Sequence, residues 1–107
     1  MINTNSKTAI LKKGSSKKVV TIEESIIYKG VSYSVVEIGI RAYNDTSYIE
    51  EIVITGQELI IQEFAFKRCH DVKTIIIRGH VSKTGKSAFY GCEKLLKVVI
   101  EGTVDFF

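Results

Sequence analysis

The stretch Gly79-His80-Val81-Ser82-Lys83-Thr84-Gly85-Lys86-Ser87 holds the residue types of a phosphate-binding loop. Such a loop needs four residues between its first glycine and the Gly-Lys pair, so that backbone N–H groups converge on the phosphates. Here five residues intervene, and no nucleotide site is expected. Cys69, His70, His80 and Cys92 could ligate a metal by type, but zinc ligands come as close pairs, C-x2–4-C or H-x3–5-H. Neither spacing occurs, so neither a metal nor another cofactor is expected. No motif sets a nucleophile beside a base. The adjacent carboxylates Glu23-Glu24 and Glu50-Glu51 point to opposite faces if the chain is extended there. A non-enzymatic protein is the expectation.

The elements that would position any other site follow from composition and periodicity. The chain has 107 residues, 45% apolar and 25% charged, with no proline. That suits one folded domain and excludes a disordered or collagen-like chain. Apolar runs such as Ile75-Ile76-Ile77 and Leu95-Leu96 are far too short for a membrane span. The net charge of +3 is unevenly placed: residues 1–18 hold Lys7, Lys12, Lys13, Lys17 and Lys18 and no acid, while the remainder is net acidic. A lysine-rich end can meet nucleic acid or an anionic surface in a salt-sensitive way. No aromatic residue interleaves with these lysines to stack on bases, so nucleic-acid binding ranks well below protein binding. The residues after Met1 are polar and contain no signal-peptide core. A cytoplasmic location is expected if Met1 is the native start, and a cell-surface or secreted one if a signal peptide has been removed. Two cysteines do not make a disulfide framework, and buried free thiols are expected.

A repeat of 23 residues organises the chain. Ala42, Ala65 and Ala88 share that interval, as do Tyr43, Phe66 and Phe89. So do Ile49, Val72 and Leu95, then Ile52, Ile75 and Val98, then Ile54, Ile77 and Ile100, and finally Gly56, Gly79 and Gly102. Each copy carries L-x-x-L-x-L, whose β-branched content and period of two predict a strand. The glycine that follows suits a tight corner. A second extended stretch comes next, Glu58–Ile61 or Val81–Thr84, and then a short helical turn, Gln62–Cys69 or Gly85–Cys92. The alanine and phenylalanine of that turn are expected to point inward.

The pattern I-G-x-x-A-F-x-x-C-x-x-L-x-x-V-x-I resembles the BspA-type leucine-rich repeat. Residues 38–43, 61–66 and 84–89 fill its first half; Cys69 and Cys92 fill its cysteine slot, and Thr46 stands there in the first copy. The segment 27–39 is similar to the hairpin that often opens such arrays, and the resemblance covers roughly residues 26–104. Two departures stand out: the family's frequent proline after the strand is replaced by Thr55, Arg78 and Glu101, and the array is short. The resemblance implies a mainly β leucine-rich-repeat solenoid with short helical turns, about three coils and an N-terminal β-hairpin cap. The expected organisation is a basic arm or hairpin over 1–18 and a single repeat domain over 19–107. That domain divides into a cap at 19–34 and repeats at about 35–57, 58–80 and 81–104.

In L-x-x-L-x-L the last two apolar positions point into the coil and the residue between them points out. Stacking aligns Val53, Ile76 and Val99 as an outward apolar ladder, where family repeats commonly carry threonine. Glu51, Thr74 and Lys97 flank it on one side, and Thr55, Arg78 and Glu101 on the other. An apolar stripe with a charged rim is how protein contacts tend to look. The expected function is a protein-binding module, an intracellular binder or inhibitor of another protein acting through this face. The resemblance also implies a second reading, a fragment of a cell-surface adhesin. Homo-oligomerisation through the strand face or the Phe106-Phe107 end is a further expectation.

Overall fold

The computed structural model describes residues 1–14 and 17–105, so the Phe106-Phe107 end lies outside the described residues. Its strands are β1 (Ile2–Asn3), β2 (Thr8–Leu11), β3 (Val19–Ile22), β4 (Ser25–Tyr28), β5 (Val31–Ile38), β6 (Glu51–Ile54), β7 (Leu59–Ile61), β8 (Thr74–Ile77), β9 (His80–Thr84), β10 (Lys97–Ile100) and β11 (Thr103–Val104). They form two sheets. One is four-stranded and parallel, in the order β10-β8-β6-β3. The other runs β1-β2-β5-β7-β9-β11, with β4 paired antiparallel to β5. The chain passes from one sheet to the other and back, which makes a leucine-rich-repeat solenoid.

The apolar periodicity explains the core. Ile52, Ile54, Ile75 and Ile77 face the interior from one sheet, Leu59, Ile61 and Val81 from the other, and all are 0–1% exposed. Strands one coil apart pair in register, Ile52 with Ile75 and Ile75 with Val98, which is the 23-residue interval realised as hydrogen-bonded neighbours.

Two details differ from the expectation. The solenoid has about four coils, because residues 8–22 already make one: β2 lies parallel to β5 and β3 parallel to β6. The Gly14 amide donates to the Ala42 carbonyl (2.8 Å), as Tyr43 does to Ala65 and Phe66 to Ala88 (2.7 Å each). Gly14 thus takes the place of the aromatic residue in this coil, and a Cβ there would collide with the Tyr43 ring. Residues 1–11 fold as the antiparallel pair β1–β2, and β2 joins the larger sheet.

The second difference concerns the turns. No helix forms among the described residues; each Ala-aromatic segment is a run of hydrogen-bonded turns. In one coil Ala65 donates to Gln62 (3.3 Å), Lys67 to Phe64 (3.2 Å) and Cys69 to Phe66 (3.3 Å). Left-handed residues recur at the coil interval: Arg41, Phe64 and Ser87 (φ 58°, 57° and 56°), then Asp45, Arg68 and Gly91 (φ 58°, 60° and 79°). A residue with φ > 0 at the third turn position is what a type II turn requires, and it stops α-helical propagation.

Candidate functional site: the strand face

The register brings the sequence-predicted residues together on one face. Glu51, Thr74 and Lys97 lie side by side across β6, β8 and β10, and Val53, Ile76 and Val99 form the adjacent row. Beyond β6 the rows continue into Val19 and Thr21 of β3. The apolar stripe is narrower than the sequence suggests. Val53 is only 6% exposed, with Thr21 and Ile76 in register on either side of it. Ile76 and Val99 are half-buried and carry the accessible apolar area of the row. At the end of the strands Arg78 Nε donates to Glu101 Oε1 (3.0 Å), and the Thr55 hydroxyl donates to the Ile22 carbonyl (2.7 Å).

Ion pairs between coils fall at the same 23-residue interval. Asp45 pairs with Arg68 (3.8 Å), Glu50 with Lys73 (3.8 Å), Asp71 with Lys94 (3.2 Å) and Glu93 with His70 (3.8 Å). Each is well exposed, so each contributes at most about 1 kcal/mol. They favour one stacking register over its neighbours. On the turn side Phe64 lies under both Arg41 (5.2 Å) and Lys67 (4.8 Å), and Lys67 also reaches Tyr90 (6.0 Å). This cation–aromatic ridge was legible in the interval, since Asn44, Lys67 and Tyr90 are 23 apart, but sequence reasoning passed over it.

The other sequence-level candidates are structural. The Gly79–Ser87 stretch is β9 and the turn after it, and its amides are committed between coils: Gly79 to Ile54 (3.2 Å), His80 to Gly56 (3.0 Å) and Gly85 to Ile61 (2.6 Å). No group of three His, Cys, Asp or Glu residues able to hold a metal occurs among the described residues. His70 faces Glu93, and His80 sits 2.9 Å from Asp105 on another part of the surface. All five lysines of residues 1–18 are exposed, with Lys12 and Lys13 bordering an apolar recess lined by Ile10, Ile26, Val35 and Tyr43. Among the described residues no helix is long and apolar enough to cross a membrane.

Both cysteines are free, and each thiol donates to a carbonyl of the preceding coil: Cys69 Sγ to Tyr43 O (3.1 Å) and Cys92 Sγ to Phe66 O (3.3 Å). Burial pushes the Cys69 thiol up to about 12, with the Cys92 sulfur adding to the effect; burial also raises Cys92. Burial likewise pushes the Tyr43 hydroxyl up to about 12. An acid whose folded pKa is raised stays protonated in the native state while the unfolded chain ionises. The Cys69 contribution to stability is therefore full below about pH 9 and falls as the pH climbs towards 12, and the Tyr43 contribution begins to fall only above about pH 10. Denaturation midpoints measured across that range are expected to show the fall, and Cys69→Ala to remove part of it. In native buffer at neutral pH a thiol reagent is expected to leave Cys69 unmodified and to label the half-buried Cys92 first.

The comparisons with known proteins agree with this geometry. The family model described as BspA type leucine rich repeat region matches residues 15–107, in 6 copies. Among solved structures, a leucine rich cell surface protein from Faecalibacterium prausnitzii A2-165 superposes with a TM-score of 0.77 at 23% identity. The match covers 96% of this chain and 30% of that one, so the present chain spans less than a third of that protein's length. No curated protein sequence gives a significant match.

Proposed function

Because the chain belongs to the BspA-type leucine-rich repeat family, we propose that it is a non-enzymatic protein-binding module that works through its strand face. The observation that carries this reading is the in-register row Val53–Ile76–Val99, with its accessible part set between Glu51 and Lys97 on one side and Arg78 and Glu101 on the other. A parallel sheet held on its inner face by a packed core is rigid, so docking onto it costs little ordering entropy. Ile76 and Val99 supply the desolvated centre, and the mixed charges around them select a partner by complementarity. The structural neighbour is a cell surface protein, which favours an adhesin-like role at the surface over an intracellular inhibitor.

The test compares the wild type with a Glu51→Lys, Ile76→Lys double variant, which leaves β10 intact and places its new charges on the outer face. Both immobilised proteins are checked for folding by circular dichroism, then exposed separately to extracellular-matrix and cytosolic protein fractions. A matrix or surface protein held by the wild type is expected to bind the variant at least about ten-fold more weakly, the loss typical of a central contact. Equal capture by both proteins would remove the strand face as the site. A partner found only in the cytosolic fraction would return the intracellular reading.

A further inference from the structure

The β4–β5 hairpin projects from the solenoid as two strands alone. β2 pairs with β5 only from Ser34 onward and β7 only from Glu37, so among the described residues only β4 pairs with Val31, Ser32 and Tyr33. The Ser34 amide donates to the Lys7 carbonyl and the Val35 amide to the Glu24 carbonyl (2.9 Å each). Successive amides of a strand point to opposite sides, so β4 lies on the side of β5 away from β2. That is the side on which β7 and the later coils follow, and they leave β4 uncovered. Ser25, Ile26, Ile27 and Tyr28 are all exposed, Ile27 at 78%. This free edge is internal to the chain, held between β3 and β5. Edge strands are ordinarily protected by charge, proline or a bulge, and Ser25-Ile26-Ile27-Tyr28 has none of these.

The backbone and the side chains of β4 select what can pair there. The bond from Val35 to Glu24 fixes the alternation along the hairpin: Ile26 and Tyr28 turn their N–H and C=O groups to β5, and Ser25 and Ile27 turn theirs outward. We propose that β4 pairs antiparallel with the β4 of a second copy of this chain, across a two-fold axis at Ile27. The outward N–H and C=O of the two Ile27 residues then bond each other. Ile27 faces Ile27 on one side of the joined strands, and Ile26 faces Tyr28 twice on the other. Charge sets the direction. The strand runs from Glu23-Glu24 to Lys29, so antiparallel pairing carries the acidic end of each copy to the basic end of its partner. Lys29 then stands opposite Ser25, one diagonal step from Glu23, which is within reach of a long side chain. Parallel pairing would set like charges side by side. The contact is isologous and closes at two subunits, and it turns two marginal two-stranded projections into one four-stranded sheet. It leaves the β10-β8-β6-β3 face free and does not rest on that face binding any other protein.

Sedimentation velocity over a concentration series tests the inference on the chain as it stands. The wild type is expected to dimerise reversibly. Ile27→Lys and Ile27→Glu each set two like charges face to face on the axis and should weaken the dimer by about ten-fold or more. An equimolar mixture of the two variants sets Lys against Glu and should recover dimers, a result that misfolding cannot produce. The Glu51→Lys, Ile76→Lys variant should dimerise as the wild type does, since its changes lie on the other sheet. A wild type that stays monomeric at its highest soluble concentration overturns the proposal. So do Ile27 variants that dimerise as tightly as the wild type, a mixture that remains monomeric, a dimer lost in the strand-face variant, or association that continues past two copies.

Discussion

Replacing Phe66 with alanine is expected to cost about 3–5 kcal/mol, the range for deleting a buried aromatic ring. For a domain whose whole stability is about 5–15 kcal/mol, that loss brings the chain close to unfolding. Phe66 is the largest of the fully buried side chains, and its ring lies between two others. The Tyr43 centroid is 5.1 Å away on one side and the Phe89 centroid 5.2 Å on the other, with planes tilted by 8° and 2°. The gap cannot close readily. The backbone on either side is fixed by hydrogen bonds from Tyr43 to Ala65 and from Phe66 to Ala88, so the flanking rings cannot slide inward without breaking them. Each coil touches only its neighbours, and the missing ring therefore also weakens the coupling between the first coils and the last. Phe89→Ala should cost less, since Phe89 is only partly buried and solvent can fill part of the space. Urea denaturation of the three proteins gives the comparison. If Phe66→Ala and Phe89→Ala lie within about 0.5 kcal/mol of each other, the sandwich is not what fixes the cost.

The 23-residue interval made much of this arrangement legible, because an interval repeated over three copies fixes both the strands and the register between them. The rows Glu51–Thr74–Lys97 and Val53–Ile76–Val99 follow from that register alone. What depends on residues outside the interval was hidden. Ile22 aligns with Ile54, 32 residues later, because the β4–β5 hairpin is inserted between them, and Gly14 carries no side chain to announce its rung. The first coil was therefore invisible as a repeat, and the strand at 19–22 could be read only as part of a cap and not as the in-register neighbour of β6. The turns were misleading for a different reason. Five of the six left-handed positions are Arg41, Phe64, Ser87, Asp45 and Arg68, and only Gly91 advertises its conformation. Without glycine at those places the local sequence suits a helical turn as well as it suits two β-turns in succession. The stacked coils decide, since the amides of Tyr43 and Phe66 must point along the solenoid to reach the next coil. Exposure is hidden in the same way: Val98 and Ile100 share their pattern with Ile75 and Ile77, yet β10 is an edge strand among the described residues and leaves them 38% and 51% exposed.

Gly79→Ala is expected to be as damaging as a core truncation, although Gly79 has an ordinary negative-φ backbone and alanine could adopt it. The obstacle is space between coils. A Cβ at Gly79 would run into the carbonyl oxygen of Gly56 and lie 2.5 Å from that of Thr55, and both are backbone atoms that cannot swing aside. Relief requires the corner of one coil to lift off the next. That would strain the bonds from Gly79 to the Ile54 carbonyl (3.2 Å) and from His80 to the Gly56 carbonyl (3.0 Å), which hold β9 in place. Forced backbone shifts of this kind cost about 1–3 kcal/mol, and each strained hydrogen bond adds up to about 1 kcal/mol more. Gly56, one repeat earlier, supplies the control. A Cβ there would meet Leu59 Cδ1 and the Val35 carbonyl at 3.4 Å, which is ordinary contact. Gly56→Ala also reduces the freedom of the unfolded chain, so it should leave stability unchanged or raise it by about 0.4–1 kcal/mol. The two substitutions are chemically identical and occupy the same place in the repeat. Opposite signs in a thermal or urea melt would show that the repeat keeps this glycine to let successive coils approach, whereas equal losses would show that the corner needs glycine for its own conformation.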